Sequence, residues 1–142
     1  MNDFDGKINR DIDVVEDLTV SGQLNGNAVV CHGARLHLSG QAFGDVTVLK
    51  GACFELSGRL DGDVISQGWV DITGMFNGKI RVDGGTVRVA EGAHRRVGDQ
   101  TFVLDSNGRW SPVNSGIWIV TSDTPRWRLN GDGSMTREIT SS

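Results

Sequence analysis

A chain of 142 residues with a formal net charge of −4 is long enough for one domain with a sizeable buried core, and too short for two of ordinary size. Its 20 glycines, against 2 prolines and no tyrosine, suit many tight turns and exclude a proline-rich disordered chain. The acidity is N-terminal: residues 1–17 hold six acids and two bases, residues 18–85 six and five, and residues 86–142 six and seven. No basic run or aromatic–basic interleaving appears, so no nucleic-acid partner is expected.

The chain opens with "MNDFDGKINR", which lacks a positive segment followed by an apolar one, and no stretch approaches eighteen apolar residues. Neither signal-peptide secretion nor a membrane span is expected. Within this acidic leader, residues 1–17, "FDGKI" (4–8) reads like "FNGKI" (76–80) and stands twenty residues before "LNGNA". The leader is therefore expected to form a first partial rung of the repeat that follows.

That repeat is the strongest signal. "LTVSGQLNGNAVV" (18–30), "LHLSGQAFGDVTV" (36–48), "FELSGRLDGDVIS" (54–66) and "VDITGMFNGKIRV" (70–82) align without gaps. Their period is eighteen, eighteen, then sixteen residues, with glycine columns at Gly22, Gly40, Gly58, Gly74 and at Gly26, Gly44, Gly62, Gly78. A finer step of six runs through Leu18, Leu24, Val30, Leu36, Ala42, Val48, Phe54 and Leu60, all apolar. At the chain's apolar content such a run has a chance of roughly 0.0004, so periodicity accounts for it. Three short strands per eighteen residues, each with inward apolar positions and glycine corners, describe a single-stranded β-helix in which stacking supplies both backbone pairing and core. Five or six rungs over residues 1–99 are expected, the last, "TVRVAEGAHRRVGD" (86–99), being irregular: Gly92 lies eighteen beyond Gly74 while its apolar neighbours slip by one.

From about Thr101 short β-rich runs alternate with turn signals ("SNG", "NSG", "SDTP", "NGDG"), which predicts an antiparallel meander and short tail over 100–142. Trp110, Trp118 and Trp127 lie there and are expected to cover a rung end or flank, because an open β-helix end exposes unpaired backbone.

The candidates for chemistry are weak. The glycine pairs lack the Lys-Ser/Thr ending of a phosphate loop, and no helical pattern follows them. The column after the second glycine reads Asn27, Asp45, Asp63, Lys79, too interrupted for regular calcium ligation, and Asp63 is expected to face solvent. Cys31 and Cys53 form no CxxC pair and read as reduced structural thiols. Ser21, Ser39, Ser57 and Thr73 form one column of corner residues rather than a nucleophile with a base. No catalytic residue, metal or cofactor is assigned, and the chain is not expected to be an enzyme. "HGARLH" (32–37) resembles the HxxxxH pair of the γ-class carbonic anhydrases, β-helical zinc enzymes with three histidine ligands. In that family the third ligand precedes the pair, whereas here the remaining histidine, His94, follows it.

The "SGxφxGDV" pattern at a period of about eighteen, clearest over residues 18–82, resembles the bactofilins, bacterial cytoskeletal proteins with a compact β-helical core. The resemblance implies a right-handed β-helix and nucleotide-free self-assembly through β-helix ends. It also implies a scaffold role in cell morphogenesis or partner localisation, in the cytoplasm or at the inner face of the membrane. The partners implied are further copies of the chain and other envelope-associated proteins. Some members of the family carry an apolar membrane-targeting leader, whereas the leader here is not apolar, so its sequence does not indicate membrane association.

Alternation gives a further expectation. With Ala28, Val30, Val46, Val48, Val64, Ile80 and Val82 inward, Val29, Cys31, Thr47, Leu49 and Ile65 point out, an unusually apolar strip for a solvated wall. Val29, Cys31, Leu49 and Ile65 are thus candidate interaction residues, facing either the chain's own C-terminal strands or another molecule. Three readings follow: a self-assembling scaffold, a non-polymerising module that binds protein through its C-terminal meander, and a zinc enzyme.

Overall fold

A computed structural model of the chain describes residues 2–4, 6–97, 100–105, 109–112, 126–130 and 135–137, and these residues contain strands and turns with no helix. Each turn of chain contributes three short strands. The first coil holds β1 (Asn2–Phe4), β2 (Lys7–Ile8) and β3 (Ile12–Val14), and the second β4 (Leu18–Val20), β5 (Gln23–Leu24) and β6 (Ala28–Val30). The third holds β7 (Arg35–Leu38), β8 (Gln41–Ala42) and β9 (Val46–Val48), and the fourth β10 (Cys53–Leu56), β11 (Arg59–Leu60) and β12 (Val64–Ser66). The fifth holds β13 (Trp69–Ile72), β14 (Met75–Phe76) and β15 (Ile80–Val82). A partial sixth coil of β16 (Thr86–Ala90) and β17 (His94–Val97) leads into β18 (Gln100–Leu104), β19 (Trp110–Pro112), β20 (Arg126–Leu129) and β21 (Met135–Arg137).

Like strands of successive coils pair in parallel, so the coil is a β-solenoid of about five turns with three walls. The first sheet runs β1-β4-β7-β10-β13-β16, the second β2-β5-β8-β11-β14-β17 and the third β3-β6-β9-β12-β15. Strands of two to five residues suffice because each is hydrogen-bonded to the coil below and the coil above. The apolar step of six becomes the core: Leu24, Val30, Leu36, Ala42, Val48, Phe54 and Leu60 are all buried, and Phe54 is among the largest fully buried side chains.

Glycine is required where corners stack. A Cβ on Gly62 would stand 2.0 Å from the carbonyl oxygen of Gly44, and one on Gly44 2.3 Å from that of Gly26. The same position in the first coil is Arg10, with no preceding coil among the described residues to meet it.

Coil length is set at the corner between the third and first sheets. In the second and third coils a turn closes there, the N–H groups of Ala34 and Ala52 donating to the carbonyls of Cys31 and Leu49 at 2.9 Å, with Gly33 and Gly51 at φ of +83° and +82°. After the fourth coil the step from Ser66 to Trp69 is tighter: Ser66 occupies an inward position, and its hydroxyl donates to the Gly68 carbonyl at 3.0 Å. Eighteen-residue coils carry the turn, and sixteen-residue coils lack it.

The register corrects two expectations. Lys7 pairs with Gln23 and Ile8 with Leu24, so Gly6 precedes a second-sheet strand as Gly22 does. "FDGKI" thus belongs one corner earlier than its likeness to "FNGKI" suggests, and residues 2–14 form a full first coil sixteen residues ahead of the second. In the sixth coil, His94 pairs with Met75 because a turn from Ala90 to Ala93, with Gly92 at φ +90°, lengthens the corner. Gly92 is therefore a turn residue and not the next member of the Gly74 column.

The C-terminal strands are antiparallel, as expected, but they divide between two walls. β18 and β19 extend the second sheet beyond β17, whereas β20 and β21 extend the first sheet beyond β16. Among the described strands, the third sheet ends at β15.

Candidate interaction surfaces

Two surfaces of the solenoid carry features that a solvated wall does not require. The first is the open end formed by coil one. Among the described strands β1, β2 and β3 each pair on one side only, leaving three parallel backbone edges side by side. Ile8, Ile12 and Leu18 are only partly buried against the core at this end. A cavity of about 700 Å³ opens there, lined by Lys7 to Asp13 and Leu18. At the opposite end the corresponding edges of the first and second sheets are occupied by β20 and β18.

The second surface is the outer face of the third sheet. Residues one position from the buried Ala28, Val46 and Val64 point outward, and the pairing aligns Asp13, Val29, Thr47, Ile65 and Arg81 in one column. Cys31 and Leu49 follow the same strands in an adjacent column, with Val15, 71% exposed, at the coil-one end of it. Val29, Cys31, Thr47, Leu49 and Ile65 are each partly exposed. The described C-terminal strands join the other two sheets. Alternation alone locates the apolar members. Asp13 stays hidden to it, because the twenty-residue alignment of the leader moves that residue away from Val29.

On the other side of the central column a ladder of side chains ties the coils together. Asp11 Oδ1 accepts the N–H of Asn27, Asn27 Oδ1 that of Asp45, Asp45 Oδ1 that of Asp63 and Asp63 Oδ1 that of Lys79, each at 2.8 Å. These N–H groups lie at corners where the neighbouring coil presents no carbonyl to them, and the Asx side chain supplies the acceptor. Asp63 faces solvent as expected and also caps the next coil. The Lys79 side chain need not supply an acceptor in its turn, since no described strand follows β15 in this sheet. The serine column acts similarly: Ser39, Ser57 and Thr73 donate to the carbonyls of Val20, Leu38 and Leu56 at 3.4, 3.5 and 3.2 Å.

Of the expected cap tryptophans, Trp110 packs edge-on against Phe76, with ring centroids 5.6 Å apart, and both Trp110 and Trp127 lie against the core. The Trp127 indole N–H donates to Glu91 Oε1 at 3.0 Å, and Arg126, in the same strand, pairs with Asp71 at 3.0 Å. Trp118 lies outside the described residues. Trp69, which the repeat pattern does not single out, is the exposed tryptophan of the first sheet, with the Arg88 guanidinium 4.9 Å over its ring.

The three histidines fall at separate places. His32 sits in a turn with Nδ1 3.1 Å from the Lys50 carbonyl, His37 lies in β7 with Nε2 3.0 Å from Ser57 Oγ, and His94 begins β17 in another wall. Among the described residues no three His, Cys, Asp or Glu side chains form a metal-holding group. Cys31 and Cys53 are both free thiols, and burial first, then the Glu55 carboxylate, pushes the Cys53 thiol above its ordinary range. Comparison of the chain with protein-family models, with curated proteins and with solved structures found no match.

Proposed function

We propose that the chain is a structural protein without catalytic activity that self-associates, independently of nucleotide, through the open end of its β-solenoid. The observation that carries this reading is the set of three one-sided strands in coil one, together with half-buried Ile8, Ile12 and Leu18. Exposed parallel edges over an apolar core end favour pairing with another strand, and a second copy presents three such edges in matching geometry. The repeat's resemblance to the bactofilins supports the same reading and adds a scaffold role in cell shape or partner localisation at the cytoplasmic side of the bacterial envelope. The antiparallel strands occupying two of the three walls at the other end favour end-joined pairs over filaments that grow from both ends.

The alternative, a binding module that uses the C-terminal strands, has less support from the tryptophans. Trp110 and Trp127 are committed to Phe76, Glu91 and the core instead of forming an exposed platform.

Sedimentation velocity and negative-stain microscopy of the purified, nucleotide-free protein test the proposal. Elongated assemblies are expected, lost in the Ile8→Lys variant, which places a charge at the open end. Assemblies that need nucleotide, or that survive Ile8→Lys unchanged, would contradict it.

A further inference from the structure

The central outward column of the third sheet has opposite charges at its two ends. Asp13 stands in coil one and Arg81 in coil five, both exposed, and between them lie Val29, Thr47 and Ile65. Neither Asp13 nor Arg81 has a hydrogen-bond or ion-pair partner among the described residues. The neighbouring ladder column repeats the arrangement, with Asp11 in coil one and Lys79 in coil five. We infer that this face is the contact surface for a second copy of the same chain, packed sheet against sheet with its coils in the opposite order.

The charges choose between the two ways a two-fold axis can lie in such a contact. An axis along the solenoid brings each coil against itself, so Asp13 meets Asp13 and Arg81 meets Arg81, and both ends of the column repel. An axis along the strands brings coil one against coil five and keeps each column opposite itself. Asp13 then faces Arg81 of the second copy, Asp11 faces Lys79, Val29 faces Ile65, and Thr47 and Leu49 meet their own counterparts at the axis. Each charge pairing occurs twice by symmetry. Asp45 also meets its counterpart, at the solvent-exposed rim of the contact, where water and salt screen the pair.

The size of the surface sets the strength. At ~4.8 Å per coil and ~3.3 Å per residue, five coils by five residues give a patch of about 400 Å² per copy. That is about half the area per partner of a standard stable interface, so the dimer is a weak one that dissociates on dilution.

The contact is independent of the end association proposed above, and the two are separable because Leu49 sits in the middle coil, remote from both ends. Sedimentation equilibrium over a wide concentration range, on the full chain, is the test. The Ile8→Lys protein, freed of end association, is expected to show a monomer–dimer equilibrium that weakens with added salt, and adding Leu49→Asp, which sets two carboxylates together at the axis, is expected to abolish it. In the same Ile8→Lys background Asp13→Arg and Arg81→Asp each raise the dissociation constant by about tenfold, and combining the two recovers the starting value. Within one chain these two residues lie about 19 Å apart along the solenoid, so recovery reports a contact between copies. Thermal unfolding of the variants, unchanged because Asp13 and Arg81 are exposed and Leu49 points outward and is partly exposed, excludes a folding defect. Ile8→Lys leaves this dimer intact while removing end association. A dimer insensitive to Leu49→Asp, a charge-swapped variant as weak as the single ones, or an Ile8→Lys protein that stays monomeric at every concentration would overturn the inference.

Discussion

Asp45 Oδ1 accepts the N–H of Asp63 at 2.8 Å, and the same bond recurs coil after coil from Asp11 to Lys79. A net value of about 1 kcal/mol is typical for such a bond. Asp45→Ala should therefore lower unfolding free energy by about 1 kcal/mol in denaturant titration, whereas Asp45→Asn, which keeps the acceptor, should cost only a few tenths. Gly62→Ala is a harsher change, since its Cβ would stand 2.0 Å from the Gly44 carbonyl oxygen, which is backbone, as well as 2.8 Å from Asp45 Oδ1; a loss of about 3 kcal/mol is expected. For Cys53, the upward shift means less thiolate near neutrality, so alkylation should be slow at pH 7–8 and accelerate only as the pH passes the ordinary thiol range. Inward and outward positions were readable at this scale because alternation is a property of single strands. The ladder was not, because it depends on which residue of the next coil stands above each Asx side chain. The glycine signature also fades in coil one, beneath which no described strand stacks. Arg10 replaces glycine in coil one, and this is why "FDGKI" misleads about its column.

Among the elements, the coils of residues 18–82 follow the sequence repeat closely, and the change from eighteen to sixteen residues has a local cause. The turns at Gly33 and Gly51 are absent after β12, where buried Ser66 bonds to Gly68 across the shorter corner. The C-terminal strands were readable as antiparallel from their turn spacing, but their division between two walls was not, because every strand edge at that end presents the same backbone groups. What ties β20 to the first sheet includes the pair between Arg126 and Asp71, whose side chains are 9% and 21% exposed. Removing the cation leaves a half-buried carboxylate against β16. Arg126→Ala is expected to destabilise this end locally by about 2 kcal/mol. Hydrogen exchange should report it as faster opening of β16 and β20, while the amides of β7 and β10 keep their protection.

At the scale of the molecule, the three walls have different surroundings, and that asymmetry carries the functional account. The first and second sheets are completed at one end by antiparallel strands, whereas the coil-one end leaves all three sheets one-sided among the described strands. The third sheet carries an apolar column bounded by Asp13 and Arg81 on its outer face. The apolar members of that face, Val29, Cys31, Leu49 and Ile65, were legible from alternation. Arg81 at one end follows from the alignment of residues 70–82, whereas Asp13 at the other was not legible, because its place depends on the register of the first coil. On the function proposed above, this solenoid associates with copies of itself without nucleotide, through surfaces fixed by its coils. Sedimentation velocity of the nucleotide-free wild-type protein from micromolar to millimolar concentration tests it most directly. The expected result is a sedimentation coefficient that rises with concentration and reverts to that of the monomer when Ile8→Lys and Leu49→Asp are combined. A single monomer boundary across the whole range would contradict it.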